Sequence, residues 1–112
     1  MEPIEQSALD EAINRLWVRF LPEMMDRIVV LEASAAAFTA GTLTFSQQEE
    51  ASSAAHKLAG VLGTFNLTKG TVLSRELEIL YSQENGPDAE HGAELTALAA
   101  ELRRMVESRK TS

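Results

Sequence analysis

The stretch Ser46-Gln47-Gln48-Glu49-Glu50-Ala51-Ser52-Ser53-Ala54-Ala55-His56-Lys57-Leu58-Ala59-Gly60-Val61-Leu62-Gly63-Thr64-Phe65-Asn66 carries apolar residues at Ala51, Ala55, Leu58, Leu62 and Phe65. The steps between them alternate between four and three, the period of a single helix face. Ser46-Gln47-Gln48-Glu49 reads as a capping box, in which the Ser and Glu side chains each satisfy an orphan backbone N–H. Asn66 closes the segment, because Asn tolerates the left-handed conformation found at helix ends. The spacing predicts a helix from Ser46 to about Asn66 with one face turned to a core.

The opposite face is the unusual one. At about 100° per residue, His56 lies about 140° from the centre of the apolar seam and points away from the core. Ser52 and Ser53 stand one turn before it, Ala59 and Gly60 one turn after, and Gly63 a further turn on. An ordinary exposed face would carry Glu, Lys, Gln or Arg. Two glycines inside a helix cost about 2 kcal/mol together relative to Ala, a sizeable part of a small domain's net stability. The plainer alternative is that Gly60 and Gly63 admit another helix of the same chain, with His56 incidental. The glycines lie on the His side rather than on the seam, so we expect a flat docking platform with one protruding imidazole.

Outward from this segment the pattern stays helical. Leu9, Ile13, Leu16 and Phe20 predict an N-terminal helix. Pro22 suits the first turn of a second helix, whose stripe is Leu21, Met25, Ile28, Leu31, Ala35 and Phe38. Gly41 is its stop, and Thr42-Leu43-Thr44 a short connector. Beyond Asn66, Thr68 can cap a helix carrying Val72, Leu73, Leu77 and Leu80. Asn85-Gly86-Pro87-Asp88 is a turn followed by an Asp N-cap. The last helix carries Leu95, Leu98, Leu102 and Met105, with Arg103, Arg104, Arg109 and Lys110 near its negative dipole end. Near-heptad spacing and short connections predict an all-α protein: an antiparallel up-and-down four-helix bundle with an additional N-terminal helix across one end. Residues 1–112 should form one domain.

Composition bounds the function. A chain of 112 residues has the length of a single domain, and 45% hydrophobic against 24% charged residues suits a folded one. Ten Lys and Arg against 17 Asp and Glu give a net charge of −7, which argues against a nucleic-acid partner. No apolar run approaches the roughly 20 residues of a membrane span, so no membrane is expected either. The acidic start Met1-Glu2-Pro3-Ile4-Glu5 lacks the basic region of an export signal, and the expected location is the cytoplasm. The absence of Cys excludes disulfides and thiolate chemistry. The apolar stripes are used up within one bundle, so a monomer is expected. His91 sits in a polar context beside Glu90 and Gly92 and reads as a surface residue.

Ala55-His56-Lys57-Leu58-Ala59-Gly60-Val61-Leu62-Gly63-Thr64-Phe65-Asn66-Leu67 resembles the signature of histidine-containing phosphotransfer (HPt) domains, and is similar to the first domain of chemotaxis histidine kinases. That signature runs from a His through spaced glycines to a Gly-Thr-Phe-Gly-like helix end, and Leu77-Glu78 matches the Leu-Glu pair of the next helix. The resemblance implies a phosphorelay intermediate without kinase activity of its own. In it, His56 accepts a phosphoryl group and passes it to or from an aspartate on a response-regulator receiver domain, or takes it from a histidine kinase. It implies that Glu78 orients the imidazole, and that Ser52, Ser53, Lys57, Ala59, Gly60 and Gly63 form the partner-docking face. No cofactor or metal of its own is implied; Mg²⁺ is expected in the partner receiver. The chain departs from the signature at Ala59, where many members carry Lys, and at Asn66, where Gly is usual. The alternative is a helical protein-interaction module of the same fold that is never phosphorylated.

Overall fold

Helix α2 (Phe45–Thr64) forms over the segment that the apolar spacing marks out. The computed structural model describes the backbone of residues 3–109 and side chains from Gln6 to Arg109. The cap of α2 is Thr44 rather than Ser46: Thr44 Oγ1 accepts the Gln47 N–H at 3.1 Å, and Gln47 Oε1 accepts the Thr44 N–H at 2.8 Å. Thr44-Phe45-Ser46-Gln47 has the same capping-box chemistry two residues earlier, and it wins. At the other end Asn66 adopts φ 59°, as expected. Its N–H bonds the Gly63 carbonyl at 3.1 Å while the Leu67 N–H bonds the Leu62 carbonyl at 2.9 Å, a Schellman closure.

The expected N-terminal helix is not a separate element. Helix α1 (Pro3–Thr39) runs unbroken through Pro22. A helix-interior Pro forfeits one backbone bond and crowds the preceding turn, at a cost of about 3 kcal/mol. The apolar stripe nevertheless stays in phase across it: Trp17, Met24, Ile28, Leu31 and Ala35 are all buried, and Pro22 faces solvent. Burying side chains of that size gains about 1.5–3 kcal/mol each, which outweighs the local loss. Met24 takes the core position expected for Met25. Leu9, Ile13 and Leu16, expected as an apolar stripe, stay exposed, while Trp17 and the half-buried Phe20 turn to the core instead. At about 1.5 Å per residue α1 is roughly 55 Å long and accounts for the 54 Å long axis of the molecule.

Helices α3 (Thr68–Tyr81) and α4 (Gly92–Ser108) complete the bundle. Leu67, not Thr68, is the N-cap of α3, with no side-chain hydrogen bond. The turn at Asn85–Asp88 leads into a 3₁₀ turn (Ala89–His91) before α4 begins, so α4 starts later than the Asp88 cap implied. Packing runs α1 on α2, α2 on α3, α3 on α4 and α4 on α1, the cycle of an up-and-down bundle. Ala51, Ala55, Leu58, Leu62 and Phe65 meet Leu77, Tyr81, Leu95, Leu98, Leu102 and Val106 in one core. Phe65 also meets Trp17 edge to face at 5.1 Å, and the Arg109 guanidinium lies 4.6 Å over the Trp17 ring. Burial pushes the Tyr81 phenol up to about 12. Among the described residues no helix is long and apolar enough to cross a membrane.

One ion pair ties α4 to α1. Arg103 donates from Nε and Nη2 to Glu32 Oε2 and Oε1, both at 2.7 Å. These hydrogen bonds hold the Glu32 carboxyl below its ordinary range. A carboxylate depressed by folding adds stability above its unfolded pKa, and that stability is lost as pH falls through the folded value. Glu32→Gln should therefore lower the urea midpoint at neutral pH, and the gap from wild type should close on acidification through the carboxylate range. The gap should also shrink in high salt, since both side chains are partly exposed. A gap that persisted in strong acid would contradict this assignment.

Candidate functional site

A ladder of polar contacts runs along the outer groove between α2 and α3. Gln48 Nε2 donates to the carbonyls of Tyr81 and Gln83, each at 2.9 Å. Ser52 Oγ lies 2.8 Å from Ser82 Oγ. His56 Nδ1 lies 2.7 Å from Glu78 Oε2. Thr71 Oγ1 donates to the Ala59 carbonyl at 3.4 Å. Gln48, Ser52 and His56 follow one another at one-turn spacing, so they present three successive rungs to an antiparallel neighbour. Beneath the ladder, Gly70 of α3 lets the helices close: a Cβ there would fall 2.9 Å from Leu62 Cδ1. The helix spacing, and hence the His56–Glu78 distance, is set from below by packing and from above by hydrogen bonds.

The His56 side chain is 73% exposed and that of Glu78 29%. An ionised carboxylate only accepts hydrogen bonds, so the proton of this contact belongs to His56 Nδ1. In the neutral ring, Nε2 then keeps its lone pair. The ring stands on a bare surface. A Cβ added at Gly60 would meet no atom within 4 Å, and one at Gly63 only Thr71 Oγ1 at an ordinary 3.6 Å. The chain's own packing therefore requires neither glycine, and the intramolecular-packing alternative fails at both.

Ser52, Ser53, Lys57, Gly60 and Gly63 lie at least partly exposed on this side of α2. Ala59 does not. Although expected on the docking face, it is only 4% exposed, in the seam beneath α3, with its carbonyl bonded by Thr71. Three residues past His56 the helix has turned about 60° toward α3, which is enough to bury a methyl group. Lys69 is bonded to Glu101 of α4 at 3.1 Å. Spacing from His56 could have flagged Gln48; nothing local marks Ser82 or Thr71, whose roles come from α3 register. A second grouping of ligand-type side chains, Asp88, Glu90 and His91, has donor atoms within 4.8 Å of one another. It shares no residue with the depression around His56. His91 is half-buried, not a surface residue, and its Nδ1 is shielded without a partner.

Fold and site together define a class: a helical bundle that displays one oriented histidine on an open helix face. The family model of the Hpt domain matches residues 15–108, and the chain belongs to that family. It is also 30% identical over 95 residues to Protein RcaC of Microchaete diplosiphon, an alignment that covers 85% of this chain and 15% of that protein. The chain thus spans a small part of the relative's length. No solved structure gives a significant match. Hpt domains serve histidine phosphotransfer in phosphorelays, as phosphoryl carriers without kinase activity of their own, and they engage receiver domains and kinases.

Because a Cβ at Gly60 would point into open space, Gly60→Ala should raise stability by up to about 1 kcal/mol and leave the fold intact. Denaturant unfolding checks this. A destabilised Gly60→Ala would mean that the chain itself needs the glycine.

Proposed function

We propose that His56 is the phosphorylated residue and that it relays a phosphoryl group to or from the aspartate of a receiver domain. Nε2 attacks phosphorus opposite the departing oxygen. The new P–N bond forms as the P–O bond to the aspartyl carboxylate breaks, and that carboxylate leaves with the bonding pair. The ring keeps its Nδ1 proton and becomes cationic, and the Glu78 carboxylate 2.7 Å away offsets the new charge. The reverse step returns the phosphoryl group to a partner aspartate. Transfer of this kind depends mainly on positioning and charge neutralisation. The carrier therefore needs a nucleophile and a clear approach, and the partner receiver supplies Mg²⁺.

The single observation carrying this reading is an exposed imidazole held through Nδ1 on a face that the chain's own packing leaves open. Ser53, Lys57, Gly60 and Gly63 form the ground on which the receiver lands, with Ser52 at its inner edge. The burial of Ala59 bears on the missing Lys: at that position a long side chain would have to emerge from the α2–α3 seam. Positive charge near the transferring group comes from the partner or from Lys57.

Incubation with a phosphorylated receiver and Mg²⁺ should give an acid-labile, alkali-stable label that His56→Gln abolishes. Label retained in His56→Gln would refute the assignment. Partner binding that survives His56→Ala, with no label from any donor, would favour the unphosphorylated interaction module. Gly63→Arg should block transfer by obstructing the approach while the fold persists; undiminished transfer would show that the platform does not matter.

A further inference from the structure

Every phospho-aspartate is chemically alike, so discrimination among receivers has to come from surface beyond the reacting atoms. The depression around His56 extends toward the start of α2 and includes Phe45, Glu49 and Ser52 there, with Glu78, Ser82 and Glu84 opposite. Phe45 is 69% exposed, the most exposed of the large apolar side chains among the described residues. Ile79, Val72, Val18 and Val29 are also exposed, but none lines this depression. The charged side chains that do line it are Glu49, Glu78 and Glu84, with no Lys or Arg among them.

These residues share one helix face with the phosphorylation site. At about 100° per residue, Phe45, Glu49, Ser52, Gly60 and Gly63 all lie within about 40° of the His56 direction. From Phe45 to Gly63 the face is about 27 Å long, with Phe45 about 16 Å from His56 along the axis. A standard interface of about 800 Å² per partner is a disc roughly 32 Å across. A receiver that covers His56 therefore also reaches Phe45. The Ser and Gly positions permit close approach but bury little apolar area, whereas a docked aromatic ring buries about 150–250 Å². Aromatic anchors of this kind dominate interface energetics.

We propose that Phe45 is the apolar anchor that selects the receiver. Its partner presents an apolar recess for the ring, flanked by basic side chains that meet Glu49 and Glu84. The inference rests on the phosphotransfer reading above, and it assigns partner choice to the N-terminal end of the α2 face. Phe45 sits at the first residue of α2 and outside the core, so its replacement leaves folding largely untouched.

The test uses two phosphodonors. Phosphoramidate, a small N–P donor, reaches His56 without a docked protein; a panel of purified receiver domains, charged with acetyl phosphate, requires docking. With the receiver that transfers fastest to wild type, Phe45→Ala should lower kcat/KM about tenfold or more, through KM. Phosphoramidate labelling should be unchanged, and Phe45→Leu should recover most of the loss. Glu49→Lys with Glu84→Lys should raise KM further and weaken its dependence on salt. Undiminished transfer to Phe45→Ala overturns the anchor while leaving the phosphotransfer reading intact. Equal loss with both donors would place Phe45 in the geometry of His56 and also overturns it, as would a Phe45-dependent dimer in sedimentation velocity. If neither donor labels wild-type His56, the phosphotransfer reading itself fails.

Discussion

The hydrogen bond between His56 Nδ1 and Glu78 Oε2 is the constraint on which the site depends. It spans two helices, so it exists only while α2 and α3 keep one separation and one register. Separation comes from below, where Gly70 lets α3 close on Leu62 and where Leu58, Leu62 and Leu77 are fully buried. Register comes from the rungs on either side, Gln48 to the end of α3 and Thr71 to the Ala59 carbonyl. A slip of one residue on α3 would turn Glu78 about 100° away from the ring. The bundle is in this sense a device for fixing one acceptor beside one nitrogen.

The two faces of α2 answer to opposite demands. Its inner seam is built for stability, with Ala51, Ala55, Leu58 and Leu62 wholly inside the core. Its outer face gives stability up: Gly60 and Gly63 lower helix propensity, and among the described residues a Cβ would meet nothing at Gly60 and only Thr71 Oγ1 at Gly63. The pair Arg103–Glu32 and the stacking of Arg109 on Trp17 lie at other helix junctions, away from this face. These contacts are therefore concentrated away from the face that carries His56. Phe45 is the exception on the outer face, a large apolar group left in water at the end of an otherwise stripped surface.

Much of this was legible from residue spacing. The α2 seam, the outward angle of His56 and the left-handed closure at Asn66 each follow from local sequence, because each is decided within a turn or two. Elements that depend on competition between long-range and local terms were not legible. Pro22 reads locally as a helix start, yet a stripe of buried side chains on both sides carries α1 through it. Thr44 and Ser46 offer rival capping boxes, and only the geometry decides between them. Ala59 reads as outer face because a helix wheel has no knowledge of where α3 sits. On α3 the stripe Val72, Leu73, Leu77 and Leu80 omits the buried Ser74 and Tyr81 and includes Val72, which is exposed, because the face that α3 buries is set by its neighbours. In the site, the role proposed for Glu78 comes from the family resemblance; spacing alone leaves it one of several helix glutamates.

The most direct measurement is NMR of the phosphorylated protein with ¹⁵N-labelled histidine, which identifies the ring nitrogen bonded to phosphorus and the one bearing the proton. The account requires phosphorus on Nε2 of His56, with Nδ1 protonated and its signal displaced in Glu78→Gln. Phosphorus on Nδ1, or an Nδ1 signal indifferent to residue 78, would contradict it.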